Sequence, residues 1–110
     1  MAAGKLMVFT KPVSPDMDAE FNRWYDGFHV PEVCKMLGAK LAERYRLKSA
    51  QPNRSRQYEE PYVAVYHFDD IDEALSKMGQ MSGWTQSDTI DAGAAVIHVY
   101  EPILVYEPKG

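Results

Sequence analysis

The chain has 110 residues, one cysteine and a formal net charge of -4. We expect one domain over residues 1–110, because a second core would be too small to stand alone. The acidic balance argues against a nucleic-acid partner, which requires a basic surface. The single cysteine excludes an internal disulfide and fits a reducing compartment. No apolar run approaches a membrane span, and the N-terminus lacks a signal-peptide pattern, so we expect a cytoplasmic protein without a membrane partner.

The first half of the chain predicts a strand followed by two helices. The strand covers Lys5 to Thr10. One apolar stripe then recurs at helical spacing, at Met17, Phe21, Trp24 and Phe28. We expect this helix to stop near Phe28 or His29, because Val30 precedes a proline and is disfavoured in the helical region. Pro31 is expected to open a short second helix, which Gly38 closes.

The second half predicts two strands, a third helix and a final strand. Lys40 to Lys48 alternates, with Leu41, Tyr45 and Leu47 on one side and Arg44, Arg46 and Lys48 on a solvated side. A polar loop covers residues 49–61, and the next strand covers Tyr62 to Phe68. Asp70 caps a helix that starts near Ile71. A short helical piece at Trp84 to Ile90 and one long strand, or two interrupted at Pro102, over Ala94 to Tyr106 complete the chain.

The order strand, helix, strand, strand, helix, strand is that of the ferredoxin-like fold, an α+β fold (βαββαβ). Its four-stranded antiparallel sheet carries helices on one face only. Yet the strand at residues 62–66 and the segment at 95–97 are apolar on both faces. A chain of this length has nothing left to cover the second face, so we expect two copies to stack sheet on sheet as a homodimer with a barrel-like core.

One ridge of the first helix carries Asn22, Asp26 and His29, with Tyr25 beside them. A carboxylate three residues before a histidine can accept a hydrogen bond from one ring nitrogen and leave the other as a base. We therefore take His29, Asp26 and Tyr25 as candidate catalytic residues. The alternative is a solvated ridge whose histidine satisfies a helix terminus.

His67 and His98 lie in the two most apolar strands, where a histidine either packs in the core or interface or faces a cavity. No paired spacing of the histidines indicates a metal site, and no phosphate or dinucleotide motif occurs, so we expect neither metal nor cofactor. The candidate substrate-binding residues share aromatic rings or polar tips. They are Trp24, Asn22, Tyr45, Tyr66, His67, Trp84 and His98.

The segment from Phe21 to Glu32, with Trp24-Tyr25, His29 and Pro31-Glu32, resembles the F-x-x-W-Y-x-x-x-H-x-P-E signature of the dimeric α+β barrel superfamily, EthD-like branch. Members of this superfamily that the chain resembles include polyketide cyclases, small lactone isomerases, heme-degrading enzymes, cofactor-free monooxygenases of the antibiotic-biosynthesis type and proteins of unknown role. The resemblance implies a cavity for an aromatic or polyketide-like molecule, with His29 as the motif histidine and Asp26 as its companion acid.

Three functions remain open from the sequence. The first is a cofactor-independent lyase, isomerase or cyclase that acts on a small aromatic or polyketide-like compound through His29 as general base. The second is a monooxygenase, either cofactor-free or heme-dependent. The third is a dimer that binds a ligand without catalysis.

Overall fold

The computed structural model describes residues 2–48, 61–80 and 87–109. Four strands form one antiparallel sheet in the order β2-β3-β1-β4. They are β1 (Gly4–Thr10), β2 (Leu41–Arg46), β3 (Tyr62–Phe68) and β4 (Val96–Tyr100). The two longest, β1 and β3, are central neighbours, as a ferredoxin-like sheet requires. The predicted α+β fold is confirmed.

The helices pack on one face of this sheet. They are α1 (Asp18–Trp24), α2 (Val30–Leu37) and α3 (Ile71–Gln80). Single 3₁₀ turns occupy Pro15–Met17 and Ala92–Ala94. None of these helices is long and apolar enough to cross a bilayer.

The chain between α1 and α2 does not leave the helical conformation, so the predicted helix end near His29 is wrong. Residues Tyr25–His29 form one π-helical turn, and the Val30 amide bonds back five residues to the Tyr25 carbonyl. Val30 itself is helical (φ -60°, ψ -49°) although it precedes Pro31. The wider turn accommodates a proline that lacks an N–H and would crowd a regular α-helix. The sequence therefore indicated the correct position of the helix irregularity, but the helix widens there and does not end.

Two predicted helix caps are confirmed. Gly38 adopts the left-handed conformation (φ 77°) at the end of α2, and its amide bonds to the Cys34 carbonyl. Before α3, an Asp70 carboxylate oxygen accepts from the Glu73 amide at 3.2 Å. The caps fix where both helices end or begin and so fix how they lie on the sheet.

Side chains alternate between the two faces of the sheet. Leu6, Ala64 and Tyr66 join the core beneath the helices, where Phe21 is also fully buried. The opposite side, called the far face below, carries alternate residues of all four strands. Its apolar members include Met7, Phe9, Leu41, Tyr45, Val63 and Val96.

The structure reverses the predicted sides of β2. Arg44 pairs with Ala64 across the strands and therefore lies on the helix side, whereas Leu41 and Tyr45 lie on the far face and are about half exposed. The sequence pattern fixes the alternation of β2 but not which side is covered. The predicted solvated face is wrong for Arg44, which packs beneath α1.

The C-terminal prediction is partly wrong. The last strand spans only Val96–Tyr100, and residues 101–109 are exposed and unpaired. No strand among the described residues pairs with this segment, although Ile103–Tyr106 are apolar. In the predicted helical piece Trp84 to Ile90, residues 84–86 lie outside the described residues, and 87–90 are not helical. Ile90 instead bridges to Pro12. Residues 49–60 of the predicted loop also lie outside the described part.

Candidate functional site

A cavity of about 160 Å³ lies between the helix layer and the sheet. Most of its wall is aliphatic, from Leu6, Val8, Val33, Met78, Ile90 and Ile97. Four polar side chains reach the same space, from Thr10, Tyr25, His29 and Tyr66. An apolar pocket with a few convergent polar groups is the usual form of a small-molecule site.

The π-helical turn and α1 together place His29 on the cavity wall. Its imidazole stacks on the Trp24 indole, with ring centroids 4.6 Å apart and 17° between the planes. The Tyr25 ring meets it edge-on at 4.9 Å. Burial lowers the pKa of His29 from its ordinary 6.5, and the Glu32 carboxylate only partly opposes this. The imidazole is therefore neutral at pH 7, as a general base must be.

The carboxylate beside this imidazole belongs to Glu32 and not to Asp26. The Glu32 Oε1 atom lies 3.6 Å from His29 Nδ1, one helical turn later, and both side chains are largely buried. The predicted Asp26–His29 pair is thus wrong, because the π-helical turn rotates Asp26 outward. The position of Glu32 favours a hydrogen on Nδ1, which leaves the lone pair on Nε2.

Tyr25 and Tyr66 bring phenol groups to the cavity from below. Both side chains are about 1% exposed. Neither hydroxyl has a hydrogen-bond partner of good geometry among the described residues. Burial raises the pKa of Tyr25, and the nearby Thr10 hydroxyl and Arg44 charge oppose the rise. Burial also raises the pKa of Tyr66. Both phenols therefore stay protonated and are available as hydrogen-bond donors.

Arg44 is a largely buried cation next to the site. Its side chain is 14% exposed, and its guanidinium carbon lies 4.3 Å from the centre of the Tyr25 ring. Its Nη1 donates to Asp26 Oδ1 at 2.7 Å, on the outer surface of the helix. Asp26 thus holds an arginine rather than a histidine.

Some of the predicted site residues line the cavity and others lie outside it. His29, Tyr25, Trp24 and Tyr66 line the cavity. Asn22 lies outside it and donates to the Tyr62 hydroxyl at 3.1 Å.

Three predicted substrate-binding residues lie on the far face, away from the cavity. Tyr45 and His67 both bind Glu43 there, at 2.7 and 2.6 Å, and His98 packs edge-on against Phe9. For these three the prediction of a cavity role is wrong, because strand alternation turns them to the other side. Trp84 lies outside the described residues.

No group of three or more potential metal ligands occurs within residues 2–48, 61–80 and 87–109. His29 lies on the helix side of the sheet, whereas His67 and His98 lie on the far face. The described histidines therefore do not meet at one point.

The sequence reasoning missed Glu32, Thr10 and Arg44. Glu32 stands three residues after His29, a spacing that brings two helical side chains together, so this signal was readable. Arg44 gave no such signal, because an arginine in an alternating strand is ordinarily exposed. Thr10 was assigned only to a strand, and its burial follows from the register with β3.

No family model matches the chain. A curated relative from Stachybotrys chlorohalonatus, named Core atranone cluster (CAC) protein 1, is 35% identical over 69 residues. This match covers 62% of the present chain, which spans only 27% of that protein's length.

Two solved structures are similar over nearly the whole chain. An EthD-like protein from Ralstonia eutropha matches with a TM-score of 0.57 and 17% identity, covering 94% of this chain and 95% of that one. An ethyl tert-butyl ether D (EthD) family protein from Bacillus halodurans matches with a TM-score of 0.55 and 13% identity, covering 94% and 100%. The chain therefore has the fold of the EthD-like α+β proteins.

Proposed function

We propose that the protein binds a small aromatic molecule carrying a carbonyl or phenol oxygen, and that His29 moves a proton next to that oxygen without a cofactor. One observation carries the proposal. A neutral imidazole and two protonated phenols, from Tyr25 and Tyr66, line a single apolar cavity, and neither phenol has a hydrogen-bond partner of good geometry among the described residues. A base and a pair of oxyanion donors are the two requirements of enolisation chemistry.

The size of the cavity favours a single-ring compound. A dry protein cavity of about 150 Å³ accommodates benzene, and this one measures about 160 Å³. Its aliphatic wall supports the ring by burial of apolar surface. The two buried hydroxyls gain an acceptor when the ligand carries an oxygen and gain none from a hydrocarbon, so an oxygen-bearing ring fits better.

The chemistry follows from what each group can do. The lone pair of His29 takes a proton from the carbon next to a carbonyl, and the C–H electrons move into the carbon–oxygen system. Tyr25 and Tyr66 donate to the oxygen on which negative charge develops. Return of the proton to another carbon gives an isomerase, loss of a leaving group gives a lyase, and attack on an internal carbonyl gives a cyclase.

The far face supports a homodimer. Leu41 and Tyr45 are each about half exposed on one edge strand of this face, and Val96 and Tyr100 are exposed on the opposite edge strand. A monomeric protein rarely leaves such a patch uncovered. We therefore propose that two chains stack sheet on sheet, and, given the single cysteine, that they do so in the cytoplasm.

Acetophenone and ethylbenzene provide a matched pair of probes for the cavity. Acetophenone has a carbonyl group where ethylbenzene has a methylene group, so only acetophenone offers an acceptor oxygen to the tyrosines. Acetophenone is expected to raise the melting temperature more than ethylbenzene does, because a ligand that binds only the native state stabilises it. The Tyr25→Phe, Tyr66→Phe double variant should lose this preference. Equal stabilisation of the wild-type protein by both compounds, or by neither, would contradict the proposal.

A further inference from the structure

We infer that Arg44 is a positioning residue that makes the Tyr25 hydroxyl a stronger hydrogen-bond donor, acting through the face of the Tyr25 ring. The inference deepens the proposed function and rests on it, since it concerns the oxygen that Tyr25 presents to a ligand. Arg44 does not line the cavity. Of the three aromatic rings that its guanidinium approaches, only Tyr25 lines the cavity.

The guanidinium lies within a cluster of aromatic rings. Its central carbon is 4.3 Å from the centre of Tyr25, 5.2 Å from that of Tyr62 and 5.6 Å from that of Phe21. The Nε and Nη2 atoms are buried and have no hydrogen-bond acceptor among the described residues. On this side the positive charge is therefore stabilised mainly by the faces of aromatic rings, and the Tyr25 ring is the nearest of the three.

Asp26 fixes the orientation of this cation. It accepts from Nη1 at 2.7 Å and is 65% exposed, so water screens much of its negative charge. On the buried side the positive field is screened far less. Asp26 thus holds the guanidinium next to the Tyr25 ring without cancelling its charge there.

The charged and titratable groups around Tyr25 also support a role for Arg44. Arg44 approaches from β2, Tyr66 from β3 and His29 from the end of the same turn, and Thr10 adds a hydroxyl from β1. The imidazole of His29 is neutral, so Arg44 is the permanent cation of this group. Burial raises the pKa of Tyr25, and Arg44 acts against that rise. A phenol made more acidic in this way donates a stronger hydrogen bond to a developing oxyanion.

Replacing residue 25 with 3,5-difluorotyrosine gives a direct measurement. This analogue ionises near neutral pH, and its ¹⁹F resonance reports one site in a protein with seven tyrosines. Arg44→Met keeps the bulk of the side chain and removes the charge. We expect its difluorotyrosine to be about tenfold less acidic than in the otherwise wild-type protein, a shift of about one pKa unit.

Two further variants separate charge from packing. Arg44→Lys keeps the charge and should retain most of the acidity, which also covers the case in which Arg44→Met does not fold. Arg46→Met removes the next arginine on the same side of β2, which is exposed and should leave the titration unchanged. If difluorotyrosine at position 25 has the same titration midpoint in Arg44→Met as it has with Arg44 in place, the inference is overturned. If Arg44→Met does not fold, a difluorotyrosine midpoint that is higher by one pH unit or more in Arg44→Lys would overturn it.

A second readout separates this inference from the proposed function. The carbonyl stretch of bound acetophenone should move to higher frequency in Arg44→Met, part of the way towards its value in Tyr25→Phe. A shift in Tyr25→Phe without any in Arg44→Met would overturn the role of Arg44 alone. Absence of a shift in Tyr25→Phe would count against the proposed function, while the ¹⁹F titration would still decide the role of Arg44.

Discussion

The imidazole of His29 lies flat on the indole of Trp24, 4.6 Å away, on the wall of an apolar cavity. This stacking holds the ring in one orientation at the end of a π-helical turn. Such a turn is a rare distortion that occurs often at functional sites. Here its effect is specific, because it turns His29 and Tyr25 into the cavity and leaves Asp26 outside.

The structure predicts which carboxylate tunes His29. Replacing Glu32 with Gln should lower the pKa of His29 further, because Glu32 is the group that raises it against the effect of burial. Asp26→Asn removes a carboxylate that pairs with Arg44 and not with His29, so the pKa of His29 should stay unchanged. An NMR titration of the imidazole resonances in both variants provides the measurement. A larger change in Asp26→Asn than in Glu32→Gln would restore the sequence-based pairing and contradict the structure.

The burial of His29 also predicts how stability depends on pH. Its pKa is lowered in the folded state, so between that value and 6.5 the unfolded chain binds more protons. This group therefore destabilises the fold progressively as the pH falls below 6.5, and contributes no pH dependence above it. The unfolding free energy of His29→Gln should fall less steeply than that of the wild-type protein between pH 7 and 5. Parallel curves for the two proteins in that range would show that His29 is not buried in its neutral form.

Two tyrosines of β3 should respond to loss of the hydroxyl in opposite directions. The Tyr66 hydroxyl is buried without a hydrogen-bond partner among the described residues, so Tyr66→Phe should stabilise the unliganded protein by about 1 kcal/mol. The Tyr62 hydroxyl donates to Asp18 and accepts from Asn22, so Tyr62→Phe should destabilise it by about 1 kcal/mol. Urea unfolding of both variants makes the comparison. A loss of stability in Tyr66→Phe would show that its hydroxyl is satisfied in the free protein.

Exposed leucines on the two outer surfaces of the chain test the homodimer. Leu41 lies on the far face, and Leu75 lies on the outer side of α3. Leu41→Glu should shift the dimer towards monomer, because it buries a charge in the proposed interface. Leu75→Glu adds the same charge to the outer surface and should leave a dimer. Sedimentation velocity at micromolar concentration distinguishes these outcomes, and a wild-type protein that sediments as a monomer would refute the sheet-on-sheet dimer.

The sequence was most informative where spacing alone carries the signal. The strand Tyr62–Phe68 was predicted at its observed bounds, and Gly38 and Asp70 marked the helix ends because their cap chemistry is local. Alternation in β2 also separated the residues of its two sides correctly. It could not show which side of β2 the helices cover, so Arg44 was placed in solvent.

The site was harder to predict than the fold, because one extra residue in a helical turn redirects every side chain after it. Regular helical spacing put Phe28 on the apolar stripe and Tyr25 beside it, whereas the π-helical turn exposes Phe28 and buries Tyr25. The same rotation replaces Asp26 with Glu32 as the neighbour of His29. A proline signals such a distortion, but whether the chain ends the helix or widens it depends on tertiary packing.

Proton exchange in a bound ketone tests the role of His29 directly. Acetophenone carrying a CD₃ group is incubated with the protein in H₂O, and loss of deuterium is followed by NMR. We expect exchange above the buffer rate, and a fall of roughly a hundredfold or more in His29→Gln, since general bases contribute on that scale. Phe28→Gln, an exposed neighbour in the same turn, should exchange as the wild-type protein does. Exchange at the buffer rate in the wild-type protein, or at the wild-type rate in His29→Gln, would contradict the role assigned to His29.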